Sequence, residues 1–552
     1  MLNIKNDLET LYPTKPSLAE EIDELVEKNI QTIKHTRPFT AKDSALIVYP
    51  DHIYEVGKPS LESLTQFLDT NIQDTVNTIH LLPFHLSGGD GGFAVEDYDS
   101  IDPRFGTWND IELLSKKYRI MADFVANHTA ITHTWFKEFL NGNERYKDYY
   151  LWFEKPMDTS WAYRTRTNPL LTPFEKKDGS RIWVWTNFSP LQADLNYQNP
   201  EVFLAMTKIL IGYLTHRISL LRIDAAGYLW KQVGTPSVHM KQTHTILAIW
   251  REIMAQINPE AYLITETNVP NNINVQYFGK TVPEAHMVYN FGLSPLLLHT
   301  FMKKDSTLLT NWVQTLHTPR DDTTYFTITQ THDGVNVRSI EGVLTVDDIA
   351  KLAQCSIEVG GGINSRLLPN GTTEPYELNV VYKSFLGSNE ALLATQAISL
   401  CIEGVPGIYF NSMIGAKNWE EGVKKSNEKR SINRRKYTLN EINAFLQTEE
   451  SCLQEYKHMV TVRSQEELFA PKVPQKILSV GPKVFGLQRI SGKKALYALT
   501  NISDTLISID VSTLFKNVHE TTDLLTNRLY RLTLNPIVFL RPYQSVWLKT
   551  AN

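Results

Sequence analysis

The stretch Ser219-Leu-Leu-Arg-Ile-Asp224 is short and apolar, and it ends on a carboxylate. Two further stretches share this design: Ala261-Tyr-Leu-Ile-Thr-Glu266 ends on Glu266, and Phe326-Thr-Ile-Thr-Gln-Thr-His332 is followed by Asp333. Such runs are typical of buried parallel strands whose C-terminal ends open onto loops. Because a (β/α)8 barrel takes its functional residues from the C-terminal ends of several strands, the three runs predict a carboxylate site on an α/β barrel.

Five more strand-like runs alternate with helical stretches along the chain. They are Ala45-Leu-Ile-Val-Tyr, Thr78-Ile-His-Leu-Leu-Pro-Phe, Ile120-Met-Ala-Asp-Phe-Val-Ala-Asn, Met287-Val-Tyr-Asn-Phe and Val405-Pro-Gly-Ile-Tyr-Phe. With the three acid-terminated runs they make eight strands separated by helices, which predicts a (β/α)8 TIM barrel.

The spacing of the strands also predicts how the rest of the chain is organised. Two spans between strands are too long for ordinary loops, and after about residue 470 the alternation is typical of antiparallel strands. The N-terminal segment has helical, amphipathic spacing. The predicted parts are a helical extension 1–43, barrel segments 44–128, 200–333 and 391–469, two inserted domains 129–199 and 334–390, and a C-terminal antiparallel β domain 470–552.

Composition limits the classes of function. The formal net charge of −5 over 552 residues, without a long basic run, argues against a nucleic-acid partner. The sequence has no signal-peptide core at its N-terminus and no apolar run of about 18 residues, so we expect a cytoplasmic protein without a membrane partner. Its three cysteines are widely spaced, which predicts a reducing compartment and no metal site.

The acid triplet points to chemistry on a glycosidic bond. A retaining site needs a nucleophile and an acid/base with carboxyl groups roughly 5 Å apart, which neighbouring barrel strands supply. We expect Asp224 to be the nucleophile, Glu266 the acid/base, and Asp333 a ligand of ring hydroxyls. Arg222 lies two residues before Asp224 and should keep its carboxylate ionised with a low pKa. Glu266 should hold its proton near neutral pH in a more apolar place.

Other candidates follow the earlier strands. His128 ends the third run, where a hydrogen bond to a sugar hydroxyl is expected. Asp90 and Phe93 lie in the glycine-rich loop after the second run, and we expect Asp90 with Arg434 to hold the far hydroxyls of a glucose ring. Phe93 or Phe188 would stack on its face.

Motifs beyond the acids give the chain a resemblance to a known family. It resembles the glycoside hydrolase family 13 barrel enzymes in Asp123-Phe-Val-Ala-Asn-His128, Leu221-Arg-Ile-Asp224, Ile264-Thr-Glu-Thr-Asn268 and Thr331-His-Asp333. It is similar to their sucrose phosphorylase group in Asp90-Gly-Gly-Phe93, Gly404-Val-Pro-Gly-Ile-Tyr409 and Arg430-Ser-Ile-Asn-Arg434. The resemblance covers about residues 44–550, and the N-terminal extension looks like that of the longer members, such as the glucosylglycerate phosphorylases.

The resemblance implies a site and a reaction. The implied glucose subsite is Asp90, Phe93, His128, Phe188, Arg222, Asp224, Glu266, His332, Asp333 and Arg434. It also implies inserted domains B and B′ at the two long spans, no organic cofactor, no catalytic metal, and inorganic phosphate as co-substrate. The expected partners are the sugar and phosphate, with a homodimer as a candidate assembly.

The implied phosphate and acceptor residues are Arg166, Tyr376 and Glu377. Phosphate needs a cation near the anomeric carbon, which Arg166 would supply, although a surface ion pair is its plainer interpretation. Members that take glycerate tend to have an arginine where this chain has Thr373, and no arginine follows His128 closely, so a neutral acceptor is expected, glycerol ahead of fructose. Arg366 or Lys383 would have to compensate for an anionic acceptor.

Three hypotheses therefore stand. The first is a retaining α-glucosyl phosphorylase, with glucosylglycerate as the alternative substrate. The second is a hydrolase or glucanotransferase on the same barrel. The third is a non-catalytic barrel used for binding, whose mark would be a missing member of the acid triplet, and all three acids are present.

Overall fold

The computed structural model describes residues 4–31, 37–368, 371–515 and 518–550. Eight parallel strands close into a barrel in chain order. They are β1 Ala45–Val48, β2 Thr78–Leu81, β3 Arg119–Phe124, β4 Ile218–Ile223, β5 Tyr262–Thr265, β6 Met287–Asn290, β7 Thr324–Ile328 and β8 Val405–Tyr409. The predicted barrel is confirmed, and each predicted run overlaps one of these strands; β3, β4 and β7 begin one or two residues before their runs.

Burial explains why these runs form the barrel. Every residue of β1, β2 and β5 to β8 is buried, as expected for strands covered by helices on one side and by barrel side chains on the other. The covering helices are Ser60–Asn71, Trp108–Leu114, Pro200–Thr215, Lys241–Ile257, Leu293–Lys303, Thr307–Val313, Asn389–Cys401 and Leu453–Gln465. Local sequence sets their ends: the side chain of Asn199 accepts the Glu201 N–H at 3.0 Å and Pro200 begins the helix.

The first long span returns to the barrel mouth as an antiparallel strand. His128–Ala130 pairs with Gln192–Asp194, with His128 opposite Asp194. Between them lie helix Thr134–Leu140 and a three-stranded sheet of Trp152–Phe153, Arg181–Trp185 and Leu171–Glu175. The pairing brings residues more than 60 positions apart in the chain to the end of β3.

The second long span forms a second small sheet at the same end of the barrel. Strand Thr373–Asn379 lies between Val335–Asn336 and Gly362–Leu367, and helix Val346–Glu358 packs beside it. In this sheet Tyr376 and Glu377 lie next to the segment that follows β7, because Asn336 of that segment is opposite Glu377.

The two ends of the chain pack on the barrel. Helices Ile4–Leu11 and Leu18–Asn29 lie against the outer helices, and the Tyr12 hydroxyl donates to the carbonyl of Tyr197 at 3.0 Å. Residues 1–3 and 32–36 of the predicted extension are outside the described residues.

The C-terminal antiparallel sheet is confirmed. Its six strands, in spatial order, are Gln475–Ile477, Val484–Ser491, Lys494–Asn501, Ser545–Thr550, Glu520–Asp523 and Leu529–Arg531. A two-stranded sheet of Ile507–Asp510 and Ile537–Leu540 accompanies it. The limits assigned to the parts of the chain stay predictions. Within the described ranges no helix is long and apolar enough to cross a membrane.

Candidate active site

A cavity opens at the C-terminal end of the barrel, where the loops and both inserted sheets meet. It encloses about 700 Å³ between atoms, part of it open to solvent. Ten of the thirteen side chains proposed from the sequence line it: Asp90, Phe93, His128, Arg166, Phe188, Asp224, Glu266, His332, Asp333 and Tyr376. Arg222 and Arg434 contact these residues from outside the lining, and Glu377 contacts Arg430, which also lines the cavity.

Asp224 and Glu266 are side by side because their strands are paired. Ile223 of β4 lies opposite Thr265 of β5, so the two acids follow at matching positions. The backbone N–H of Ala225 donates to Oε2 of Glu266 at 3.0 Å, which ties one acid to the residue after the other. The pairing therefore supplies the neighbouring carboxyl groups that a retaining site requires.

Asp224 is ionically paired and mostly buried, with its side chain 14% exposed. Nη1 of Arg222 donates to its Oδ1 at 2.9 Å, and the same nitrogen also contacts Asp123. Burial raises the pKa of Asp224 above its ordinary value, although Arg222 opposes the shift. The expectation of a low pKa was therefore wrong, because Arg222 divides its charge between two carboxylates and does not outweigh desolvation.

Glu266 lies in a place that favours its protonated form. Burial raises the pKa of Glu266 to about 7, against the opposing charge of Arg222, and the carboxylates of Asp224 and Asp333 add to the increase. The side-chain amide of Asn268 donates to Oε1 at 3.2 Å. A carboxyl that holds its proton near neutral pH has the property expected of an acid/base residue.

Asp333 is held by two arginines. Nη1 of Arg430 lies 2.7 Å and Nη2 of Arg434 3.5 Å from its Oδ1. Burial alone would raise the pKa of Asp333, but Arg430 and then Arg434 lower it below its ordinary value. Arg430 was missed as a site residue, although the quoted motif Arg430-Ser-Ile-Asn-Arg434 contains it; the two arginines lie in and directly after a 3-10 turn, Lys429–Asn433.

That Asp90 and Arg434 together hold the far hydroxyls of glucose stays a prediction, and among the described residues no ion pair within 4.0 Å joins the two side chains. Arg430 is the arginine nearer to Asp90, with Nη1 3.9 Å from Oδ1. Nε of Arg434 instead donates to the carbonyl of His332 at 2.9 Å. A side chain at Gly91 would collide with the Arg434 guanidinium, so the glycine allows the loop to approach it.

Aromatic rings and a missed glutamine complete the deep part of the cavity. The ring of Phe93 stacks on His332, with centroids 4.9 Å apart and planes 9° apart. Nε2 of Gln192 lies 3.2 Å from Oδ2 of Asp90 and 3.1 Å from Nε2 of His128. Gln192 was not a candidate because its position on the return strand becomes relevant only when that strand pairs with His128–Ala130.

The outer part of the cavity is bounded by Arg166 and Tyr376. The Arg166 guanidinium lies 5.6 Å from the ring centroid of Tyr376 and 6.0 Å from that of Phe188. Across the ranges described, no carboxylate is within 4.0 Å of Arg166, so the surface ion pair considered for it is not formed. Its charge is therefore available to an anion in the cavity.

Glu377 does not face the cavity as an acceptor ligand would. It is only 2% exposed, and its carboxylate accepts from Nε and Nη2 of Arg430 at 3.0 and 2.6 Å. Asn364 donates to the same group at 3.1 Å. Glu377 therefore orients Arg430.

The cations considered for an anionic acceptor are neutralised by other acids. Arg366 donates to Glu374 and Glu341, each at 2.6 Å, and Lys383 to Glu450 at 2.8 Å. Arg338, by contrast, has two guanidinium nitrogens without a hydrogen-bond partner.

Arg338 was missed by the sequence interpretation. Its Nε and Nη1 are buried without a hydrogen-bond partner, and Glu341 lies 4.0 Å from Nε. The guanidinium lies 4.1 Å from the ring centroid of Tyr163, and the N–H of Val337 donates to the carbonyl of Tyr376 at 3.1 Å. Arg338 is therefore a cation beside the outer wall of the cavity.

Metal ligands do not cluster in the part of the chain that the structure describes. No group of three or more His, Cys, Asp or Glu side chains could hold a metal ion there. Cys355, Cys401 and Cys452 are free thiols.

Known proteins resemble this chain in sequence over most of its length. Residues 60–353 match the family model described as the α-amylase catalytic domain. Three glucosylglycerate phosphorylases are 34 to 36% identical, and that of Allomeiothermus silvanus matches over 524 residues, 92% of this chain and 91% of its own. A glucosylglycerol phosphorylase from Marinobacter adhaerens is 29% identical over 73% of this chain and 83% of its own.

A solved structure supports the fold independently. The sucrose 6F-phosphate phosphorylase from Thermoanaerobacter thermosaccharolyticum superimposes with a TM-score of 0.74 and 24% identity. The match covers 84% of this chain and 94% of that chain.

Proposed function

We propose that the protein forms α-glucose 1-phosphate from an α-glucoside by double displacement. The chain belongs to the α-amylase family and, within it, to the sucrose phosphorylase group of α-glucoside phosphorylases. The observation that carries this proposal is that three carboxylates, which follow β4, β5 and β7, line one cavity together with Arg166. The acids supply the chemistry on the glycosidic bond, and the arginine supplies a place for phosphate.

In the first step a carboxylate of Asp224 attacks the anomeric carbon. The glycosidic C–O bond breaks, and the leaving oxygen takes the proton of Glu266, so that the acceptor departs as an alcohol. The product is a β-glucosyl ester of Asp224 with Glu266 left as a carboxylate. The raised pKa of Glu266, about 7, keeps its proton available near neutral pH.

In the second step phosphate attacks the same carbon from the face that the acceptor left. A phosphate oxygen forms the new C–O bond, the ester bond to Asp224 breaks, and Glu266 accepts the phosphate proton. Two inversions retain the α configuration. Arg166, without a carboxylate partner among the described residues, is positioned to attract the incoming anion.

Phosphate dependence tests this reaction against hydrolysis. We expect glucose 1-phosphate to form in proportion to turnover of the α-glucoside when phosphate is present, with glucose as a minor product. Glucose release unaffected by phosphate would favour the hydrolase. Formation of longer α-glucans without phosphate would favour the glucanotransferase.

For the acceptor we propose a small hydroxy acid of the glycerate type rather than glycerol or fructose. The relatives named glucosylglycerate phosphorylase exceed the glucosylglycerol phosphorylase in identity and coverage. The chain lacks an arginine at Thr373, but Arg338 has shielded donors without partners next to the strand of Tyr376. Glu377, which supported a neutral acceptor, is engaged by Arg430.

Reverse synthesis from α-glucose 1-phosphate tests the acceptor. We expect phosphate release to be fastest with glycerate, slower with glycerol and slowest with fructose. Arg338→Gln should weaken use of glycerate by roughly 10- to 150-fold, the loss of one hydrogen bond to a charged group, and leave glycerol unchanged.

Arg435→Gln provides the matched control. Arg435 is exposed and its guanidinium lies 4.8 Å from the ring centroid of Tyr437, so it also stacks on a tyrosine but does not line the cavity. Equal use of glycerate and glycerol by the wild type, or an unchanged preference in Arg338→Gln, would contradict the assignment of the acceptor while leaving the phosphorylase reaction intact.

A further inference from the structure

We propose that Lys231 is a positioning residue that, through Asn127, fixes the proton of His128 on Nε2, the ring nitrogen that faces the cavity. The effect on catalysis rests on the proposed glucosyl transfer, whereas the position of the proton does not. Lys231 does not line the cavity. It acts from behind the site, at the junction between the barrel and the first inserted segment.

Lys231 is a buried ammonium with three oxygen neighbours. It is 3% exposed, and Nζ donates to Oδ1 of Asn127 at 2.6 Å and to the carbonyl of Leu195 at 3.3 Å. Oδ2 of Asp194 lies 3.1 Å from the same nitrogen. An ammonium group has three donors and no acceptor, so each proton has an oxygen to point at.

This contact determines how the Asn127 amide is oriented. A lysine can only donate, so the atom of Asn127 that faces it must be the carbonyl oxygen. The NH₂ group is then on the other side, where Nδ2 lies 3.1 Å from Oδ2 of Asp194 and 3.2 Å from Nδ1 of His128. Its two protons have two neighbours.

The orientation of Asn127 in turn decides the tautomer of His128. An amide NH₂ only donates, so Nδ1 of His128 must present its lone pair, and the proton of the neutral ring is on Nε2. Nε2 lies 2.8 Å from the carbonyl oxygen of Phe93, which accepts a hydrogen bond from the Nε2–H group. Nε2 of Gln192 also lies 3.1 Å from Nε2 of His128, but its two protons have acceptors in Oδ2 of Asp90 and the carbonyl of Phe93, each at 3.2 Å. The alternative tautomer would place two donors against each other at Nδ1, where the Asn127 NH₂ faces the ring.

The same anchor holds a second part of the cavity wall. Oδ1 of Asp194 accepts the backbone N–H of Asn187 at 3.0 Å, next to Phe188. The ring of Phe188 lies 5.3 Å from that of His128. Loss of Lys231 should therefore disturb both the tautomer and the aromatic wall. A change at Asn127 removes its own contact with Asp194 but leaves Lys231 and the Asn187 N–H bound to that carboxylate, so the tautomer should respond more than the wall.

Nitrogen NMR of ¹⁵N-histidine-labelled protein measures the tautomer directly. The protonated and unprotonated ring nitrogens have well-separated resonances, and a His128→Gln sample identifies those of His128. In the wild type we expect the proton on Nε2. A wild-type spectrum with the proton on Nδ1, or on both nitrogens near neutral pH, would overturn the proposal without reference to activity or to any variant.

Asn127→Asp is the decisive variant. The carboxylate keeps an acceptor for Lys231 but puts an oxygen opposite Nδ1, so the proton should move to Nδ1 or the ring should become doubly protonated. Lys231→Met should broaden or mix the two tautomers. Lys383→Met is the control, because Lys383 is equally buried and bound to Glu450 but distant in the fold, and it should leave the His128 resonances unchanged. Unchanged resonances in folded Asn127→Asp would refute the proposal.

Kinetics with altered donors connects the tautomer to function. With α-glucosyl fluoride, Asn127→Asp should lower kcat/KM by about 10-fold, the effect of losing one well-oriented hydrogen bond to the substrate, about 1.4 kcal/mol. Among monodeoxy α-glucosyl fluorides, one should lose this sensitivity, because it lacks the hydroxyl that His128 contacts. The ratio of hydrolysis to phosphorolysis should not change. Equal sensitivity of every deoxy donor would mean that the variant acts through general distortion, and would contradict a role in substrate recognition.

Discussion

Glu377 holds Arg430 by two parallel hydrogen bonds, from Nε at 3.0 Å and Nη2 at 2.6 Å. The third nitrogen of the same guanidinium, Nη1, lies 2.7 Å from Asp333. A residue of the second inserted sheet is thus connected through one arginine to a carboxylate at the end of β7. The acceptor side and the glucose side of the cavity are therefore mechanically linked.

Glu377→Gln should consequently weaken donor use. The amide of the variant accepts only one of the two hydrogen bonds that Arg430 donates to the Glu377 carboxylate, so the Arg430 guanidinium should move toward Asp333. We expect kcat/KM for α-glucosyl fluoride to fall by about 10-fold, equivalent to about 1.4 kcal/mol. Glu374→Gln is the control, since Glu374 lies on the same strand and binds Arg366. A change in acceptor preference alone, with donor kinetics intact, would argue against this linkage.

Asp224→Asn should remove nearly all activity while the protein stays folded. The amide cannot form the glucosyl ester, because its nitrogen and oxygen are poor nucleophiles at the anomeric carbon. Turnover of the α-glucoside and the melting temperature are the two measurements. Retention of a tenth of the wild-type rate would show that another group is the nucleophile.

Glu266→Gln should separate donors by their need for a proton. A natural glucoside requires protonation of its leaving oxygen, whereas α-glucosyl fluoride departs without it, so the variant should lose far more activity on the former. The comparison of kcat/KM on both donors tests the role. Equal losses would remove Glu266 from the acid position.

The pH profile should report the pKa of Glu266, which burial raises to about 7. The acid form is the active one in the first step, so kcat/KM for the α-glucoside should be highest below pH 7 and fall about tenfold per unit above it. Because kcat/KM for the α-glucoside describes the reaction of free enzyme with free donor, its pH profile reports the enzyme before phosphate binds. Glu266→Gln with α-glucosyl fluoride should lack the decline, and a decline that persists there would have another origin.

Arg166→Ala should shift the enzyme from phosphate toward water. An arginine–phosphate contact contributes roughly 1.5–3 kcal/mol, so the KM for phosphate should rise by about 10- to 150-fold. Donor binding should change little, because glucose is expected to contact other residues. The ratio of glucose to glucose 1-phosphate at fixed phosphate is the readout, and an unchanged ratio with an unchanged KM would exclude Arg166 from phosphate binding.

The sequence alone determined the barrel and the identity of the three acids. Strand runs such as Ser219-Leu-Leu-Arg-Ile-Asp224 carry their signal locally, because a buried strand must be apolar over four to six residues and a carboxylate just beyond it must be at the strand end. Arg166 and Tyr376 were reached through motif resemblance, and the structure brings both to the cavity.

Only the tertiary structure decided which charges are paired and how strongly they are buried. Gln192 lies 64 residues from His128 in sequence and meets it because the inserted strand returns to the barrel. Lys231 lies 103 residues from His128 and meets Asn127 because it follows β4, which pairs with β3. Glu377 is engaged by an arginine 53 residues away. Arg338 lies 4.0 Å from Glu341, and its Nε and Nη1 have no hydrogen-bond partner. The pKa of Asp224 follows the same logic, because desolvation depends on every atom packed around the group. Burial and long-range pairing are properties of the assembled barrel, and no local pattern of residues encodes them.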